Sequence, residues 1–272
     1  MKRFEVKKIK VKGLRNTRDL GQLSDITQYK IKKNVLFRSS RLDKMSEKRR
    51  NKFLNDYNIK TVIDLRTDVE INEGKKIVFP PSITYIRIPI LTKRFFGITH
   101  EKKMSKVLKK ESVRYIDKVK KDEYLVEMYK SIVFDEESQK YFREFFDCLI
   151  EHKEGAILYH CTSGKDRTGI VTMFILFVLG INEQTIIEDY AASTYFNRSY
   201  IRTRIFLLKA AIILDVKFRR LLASMLYSKK EYLQKTIAAI NDRYGSINNY
   251  LVMVLGLTEE KQAIIRKKLL EE

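Results

Sequence analysis

The sequence predicts an α/β fold. It has a mostly parallel central sheet flanked by helices, a helical lid-like insertion over about 91–150 and a helical C-terminal part over about 185–272. Three observations predict it. Four short runs rich in apolar and β-branched residues lie at 35–37, 61–65, 84–88 and 156–159. The stretches between them carry helical patterns, and strands alternating with helices build a parallel sheet. The last run passes through a polar loop straight into a long apolar stretch at 170–179, which reads as strand, loop and buried helix.

Each element has its own reason. Residues 1–8 are basic but lack an apolar core, so they do not read as a signal peptide. Residues 46–57 show a helical pattern, with Ser46 placed to cap it. The charged, helical stretch 91–151 falls between two strands, where an insertion can cover a site. The apolar run 170–181 is about two-thirds of a membrane span and contains Thr172 and Gly180, so burial in protein is expected. From Thr185 onward the chain reads as a string of helices. No linker-like stretch or repeat divides it, and a single domain over 1–272 is expected. Sites in parallel sheets form at the carboxyl ends of strands. Asp64 and Arg66 end one strand and His160 and Cys161 another, so these segments are expected to meet.

Composition narrows the function classes. The cysteines, Cys148 and Cys161, make no disulfide framework, and with His100, His152 and His160 they offer no metal cluster. Neither metal nor other cofactor is expected. The formal net charge is +21, and residues 93–121 hold eleven Lys or Arg against Glu101, Glu111 and Asp117. Such a surface steers anionic substrates or docks on an acidic membrane, or it is simply an exposed helix face. No nucleic-acid-binding module is present, so nucleic acid is not an expected partner. A cytoplasmic location is expected.

The loop 160–169, HCTSGKDRTG, concentrates the chemistry. A helix N-terminus presents unpaired N–H groups and a partial positive charge, and so binds phosphate. Inward-turned amides along Thr162, Ser163, Gly164, Lys165, Asp166 and Arg167 would form an anion nest, with the glycine relieving the backbone. A thiol at the rim of such a nest is drawn toward thiolate, which makes Cys161 the candidate nucleophile. The planar fork of Arg167 suits two phosphate oxygens. Thr168 brings a hydroxyl near the sulfur, and His160 can donate a hydrogen bond that fixes the loop. A lone cysteine after an apolar strand is most often a small buried hydrophobe. It is the whole string that points to a functional loop.

HCTSGKDRTG resembles the HCxxGxxRTG signature of the cysteine-dependent protein tyrosine phosphatase superfamily. Its inner Gly164, Lys165, Asp166 and Arg167 are similar to the GKDRTG loop of the bacterial tyrosine/phosphoinositide phosphatases. Lipid phosphatases of the phosphatase-and-tensin type carry a lysine at the matching place. NTRDLG at 16–21, FRSSRL at 37–42, VIDLR at 62–66 with Glu70, and YGS at 244–246 resemble further segments of the bacterial family. The resemblance spans about 11–270. It implies a phosphotyrosine-phosphatase-like fold and hydrolysis of phosphomonoesters through a phosphocysteine on Cys161. The implied substrate is a phosphorylated protein, at phosphotyrosine or with dual specificity at phosphoserine and threonine, or a phosphoinositide. The alternative is an inactive phosphatase-like module that binds phosphorylated ligands, against which the intact Cys161, Arg167 and Thr168 speak.

Ordinary members take their acid from a Trp-Pro-Asp loop upstream of the cysteine. This chain has no tryptophan and no proline after Pro89, so that loop is missing in its usual form. Asp166 is the expected acid, with Asp64 and Asp135 next. Otherwise Asp166 pairs with Arg167 or Lys165. Lys165 either helps hold a polyphosphorylated headgroup or only raises the loop's potential. Arg18, Asp19, Arg38, Arg66 and Glu70 are expected to brace the loop as buried ion pairs more than to touch substrate.

Overall fold

The computed structural model describes residues 8–26, 30–90, 121–210 and 216–271. Its strands are β1 Arg18–Asp19, β2 Leu36–Ser39, β3 Ile59–Asp64, β4 Thr84–Arg87 and β5 Ala156–His160. They form one sheet in the order β1-β2-β5-β3-β4. All neighbours pair in parallel except β1 with β2. The mostly parallel α/β sheet is therefore as expected. β1 is an addition: two charged residues carry no apolar alternation to announce a strand.

Alternation across the strands divides the core. Phe37, Val62 and Leu158 face a smaller cluster, where Phe53 and Leu54 of α1 (Glu47–Asp56) cover them. Leu36, Ile63, Ile157 and Tyr159 face the larger cluster on the opposite side. Ser46 stands at the N-cap position of α1, but its side chain makes no cap hydrogen bond. That corrects the expected role: Phe53 and Leu54 packing, not the cap, anchors this helix.

The short α2 (Asp68–Asn72) follows β3. Of the expected insertion, α3 (Lys121–Phe134) and α4 (Glu136–Glu151) are helical as anticipated. Residues 91–120, and with them nearly all of the basic run, lie outside the described residues. Helix α5 (Asp166–Val178) is buried on almost every side, as a helix apolar all round must be. Phe174 of α5 packs edge-on against Phe142 of α4 and stacks on Tyr250 of α10 (Ile247–Met253). The other C-terminal helices are α6 (Glu183–Phe196), α7 (Arg198–Ala210), α8 (Val216–Ser224), α9 (Lys230–Tyr244) and α11 (Glu259–Leu269). Among the described residues no helix is long and apolar enough to cross a membrane.

Register positions the site. Ser39 of β2 and Asp64 of β3 both pair with His160 of β5. Three parallel strands thus end level, and the segments leaving them meet at one edge.

Candidate active site

Helix α5 begins at Asp166, so the 161–165 loop closes onto a helix N-terminus. Gly164 has φ +63°, and a Cβ there would lie 2.4 Å from the Ser39 carbonyl oxygen. Only glycine fits. The Gly164 carbonyl accepts from Asn16 Nδ2 at 2.5 Å and Arg38 Nη2 at 3.0 Å. In a planar trans peptide, fixing that oxygen turns the following N–H the opposite way.

The brace extends behind the loop. Asp189 of α6 accepts from Arg38 Nη1 at 2.6 Å and Arg18 Nη1 at 2.7 Å. Arg18 also donates to the Ser193 hydroxyl at 2.9 Å. Two buried guanidiniums share one carboxylate. Burial, and then Arg38 alongside, push Arg18 down to about 9. Asp19 stands apart from this network: it accepts from the backbone N–H groups of Gly21 and Asn34, at 2.9 and 2.8 Å, and so shapes a turn.

Glu70 holds Arg167 end-on. Nη1 and Nη2 each donate to it at 2.7 Å, and Nη1 also reaches the Leu65 carbonyl at 3.1 Å. Glu70 is placed by a capping box with Thr67 at the start of α2. It also accepts from Thr162 Oγ1 at 2.6 Å, so it ties both ends of the loop to the end of β3. Burial pushes its carboxyl up, but Arg167 and Thr162 outweigh that and bring it to about 2.

Asp64 accepts from Arg66 Nη2 at 2.7 Å and from the Tyr85 hydroxyl at 2.9 Å. Burial opposes its charge, yet His160 and Arg66 bring it below the usual carboxylate range. Arg66 reaches Asp43 as well, at 3.3 Å. His160 Nδ1 lies 3.3 Å from the Cys161 carbonyl and 3.7 Å from Asp64. Burial lowers the pKa of this imidazole.

Asp166 receives a hydrogen bond from the Tyr129 hydroxyl of α3, which in turn accepts from Tyr190 at 2.5 Å. Burial, with Asp166 adding to it, keeps both phenols protonated well above their usual range. Lys165 Nζ sits 3.2 Å from Asp166 and donates to the carbonyls of Met225 and, at 3.2 Å, Tyr227. The Thr168 hydroxyl is buried without a hydrogen-bond partner among the described residues. Asp135 caps α4 by accepting from Ser138 N at 2.9 Å.

The fold thus gathers Thr162 through Thr168, His160, Asp64, Arg66 and Glu70 at one strand-end edge and uses Asp135 elsewhere. Asn16, noted only as part of the NTRDLG segment, belongs to this setting, as do Asp43, Tyr129, Tyr190 and Asp189, which escaped sequence reasoning. The tyrosines look like core aromatics on helical patterns, and Asp189 looks like any polar residue on a helix. Among the described residues no group of three or more His, Cys, Asp or Glu could hold a metal ion.

Over 240 residues the chain is 24% identical to a Cupriavidus necator protein provisionally named a tyrosine-protein phosphatase, spanning 87% of this chain and 80% of that one. The triple specificity protein phosphatase PtpB of Mycobacterium tuberculosis is 31% identical over 103 residues, 35% of this chain and 37% of PtpB. A crystal structure of P. aeruginosa TpbA in complex with phosphotyrosine aligns over 76% of this chain and 87% of its own, at 14% identity and a TM-score of 0.27. A family model described as the tyrosine phosphatase family matches residues 9–271. That match takes in every described strand and helix: the chain belongs to the tyrosine phosphatase family and is a phosphatase.

Proposed function

We propose that the protein hydrolyses phosphotyrosine through a covalent phosphocysteine on Cys161. The observation that carries this is the bracing of Arg167 by Glu70, with both terminal nitrogens at 2.7 Å, six positions beyond the cysteine. A guanidinium held in plane is a preorganised clamp for the three equatorial oxygens of a phosphoryl group in transfer. In the first step the Cys161 sulfur bonds to phosphorus as the ester P–O bond breaks. Asp166 gives its proton to the departing phenolate oxygen. Water then attacks phosphorus, Asp166 takes a proton from it, and the S–P bond breaks to return the thiolate and release phosphate. The Thr168 hydroxyl, which has no hydrogen-bond partner among the described residues, is available to the sulfur as it leaves.

Asp166 suits the proton-transfer role better than Asp64 because it lies in the loop itself and keeps some exposure, whereas Asp64 is fully buried and held by Arg66 and Tyr85. Phosphotyrosine is favoured over a phosphoinositide because the Lys165 ammonium is occupied by two backbone carbonyls and Asp166. The decisive assay is steady phosphate release from para-nitrophenyl phosphate and a phosphotyrosine peptide, lost in Cys161→Ser. No turnover by the wild type would sink the proposal. Asp166→Asn should slow aryl phosphates with poor leaving groups far more than those with good ones; equal losses would remove Asp166 from the role.

A further inference from the structure

Beside the phosphate loop lies a cleft of about 440 Å³ whose wall includes Arg15, Arg41, Lys44, Thr162, Tyr200 and Arg204, four cations against the single carboxylate of Glu73. Thr162 follows Cys161 directly in the chain, so the cleft borders the loop that carries the proposed nucleophile. Neither the family relationship nor the proposed chemistry gives these cations a task.

Their partners are informative. Arg41 is paired with Asp43. Arg15, Lys44 and Arg204 form no ion pair among the described residues. One aromatic ring orients two of the guanidiniums. Arg15 lies 3.7 Å above the centroid of Tyr200, and Arg204 donates from Nε to the Tyr200 hydroxyl at 3.0 Å. Stacking fixes the planar forks in advance, so less freedom is lost when an anion binds. Burial lowers the Arg15 pKa, Tyr200 offsets part of that, and Arg204 and Arg41 lower it further. Like charges crowded in a partly dry cleft favour a bound anion.

We propose that this cleft is a second anion subsite that reads a carboxylate side chain flanking the phosphotyrosine of a peptide substrate. The inference rests on the phosphotyrosine assignment above. A peptide fits better than a phosphorylated headgroup because the cleft's wall is not cationic throughout. Its wall also includes Leu14 and the Tyr200 ring, which suit the methylenes and backbone beside a carboxylate. Arg–carboxylate geometry is bidentate and directional, so it supplies specificity as well as attraction.

The test compares kcat/KM on phosphotyrosine peptides that differ only by Glu against Gln at the flanking positions. The wild type should favour the Glu peptide by about threefold to tenfold at low salt, with the preference fading as salt screens the contact. Arg15→Gln and Arg204→Glu should each drive the ratio toward one. Arg204 is exposed on α7, so its replacement reports even if Arg15→Gln fails to fold. A ratio near one in the wild type, or one unmoved by Arg204→Glu, overturns the subsite. Para-nitrophenyl phosphate, which has no flanks, separates the failures: its turnover by the wild type keeps the phosphatase mechanism standing when the subsite falls. If Arg204→Glu instead slows phosphate release from phosphoinositide vesicles and leaves the peptide ratio alone, the cleft serves a lipid and the peptide assignment is overturned.

Discussion

Glu70→Gln removes one negative charge from the centre of the site while keeping the side chain's shape. The wild-type carboxylate is 2% exposed and accepts from Arg167 twice at 2.7 Å and from Thr162 at 2.6 Å. Its pKa falls from 4.5 to about 2, a drop worth about 3 kcal/mol at ~1.4 kcal/mol per tenfold. The folded value is the lower one, so this stability is present in full above about pH 5 and is lost as pH falls through about 2. The glutamine has no such titration, and at pH 7 it leaves the buried Arg167 charge uncompensated, costing about 3–5 kcal/mol. For a chain of this size that lowers the melting temperature by roughly 10 °C. Near pH 4 the wild type has already lost about 1 kcal/mol of the contribution, so the gap narrows. Melting curves of both proteins at neutral pH and near pH 4 measure this directly. Added inorganic phosphate should restore part of the loss in the variant, because a bound oxyanion replaces the missing counterion. Equal melting temperatures at neutral pH, or a gap that widens on acidification, would refute the reasoning.

Asp189→Asn leaves Arg18 and Arg38 buried without their shared carboxylate, so the urea midpoint should fall by the equivalent of about 3–5 kcal/mol; an unchanged midpoint contradicts the brace. Gly164→Ala forces a Cβ to within 2.4 Å of the Ser39 carbonyl oxygen at φ +63°. It should cut para-nitrophenyl phosphate turnover by about a hundredfold through misplaced loop groups, and wild-type-like rates would show that the loop tolerates the shift. Tyr129→Phe removes the hydrogen bond to Asp166 and should slow poor-leaving-group substrates by about tenfold. In an Asp166→Asn background the same substitution should cost little more, and additive losses in that double-mutant cycle would separate the two residues.

Much of the site is local in sequence and was therefore legible. Cys161, Gly164, Arg167 and Thr168 lie between a strand end and a helix start, and covalent geometry keeps them together. Three strands were recognisable because apolar runs advertise buried positions; β4 was expected to be buried likewise but is largely exposed at Thr84–Arg87, and Arg18–Asp19 joins the sheet on polar terms. Lys165 was expected at the rim, facing substrate or adding potential. Its side chain turns to carbonyls some 60 residues away, a contact no local pattern encodes.

By itself, then, the sequence determined the α/β class and marked out the candidate loop, with Cys161 as the candidate nucleophile and Arg167 as the candidate clamp. Only the tertiary structure decided which acids neutralise the arginines. Glu70 is 97 residues from Arg167, and Asp189 is 171 from Arg18. Neighbours in a loop are set by the chain. Ion-pair partners so far apart are chosen by the register that ends β2, β3 and β5 level, and by which helix then packs behind them.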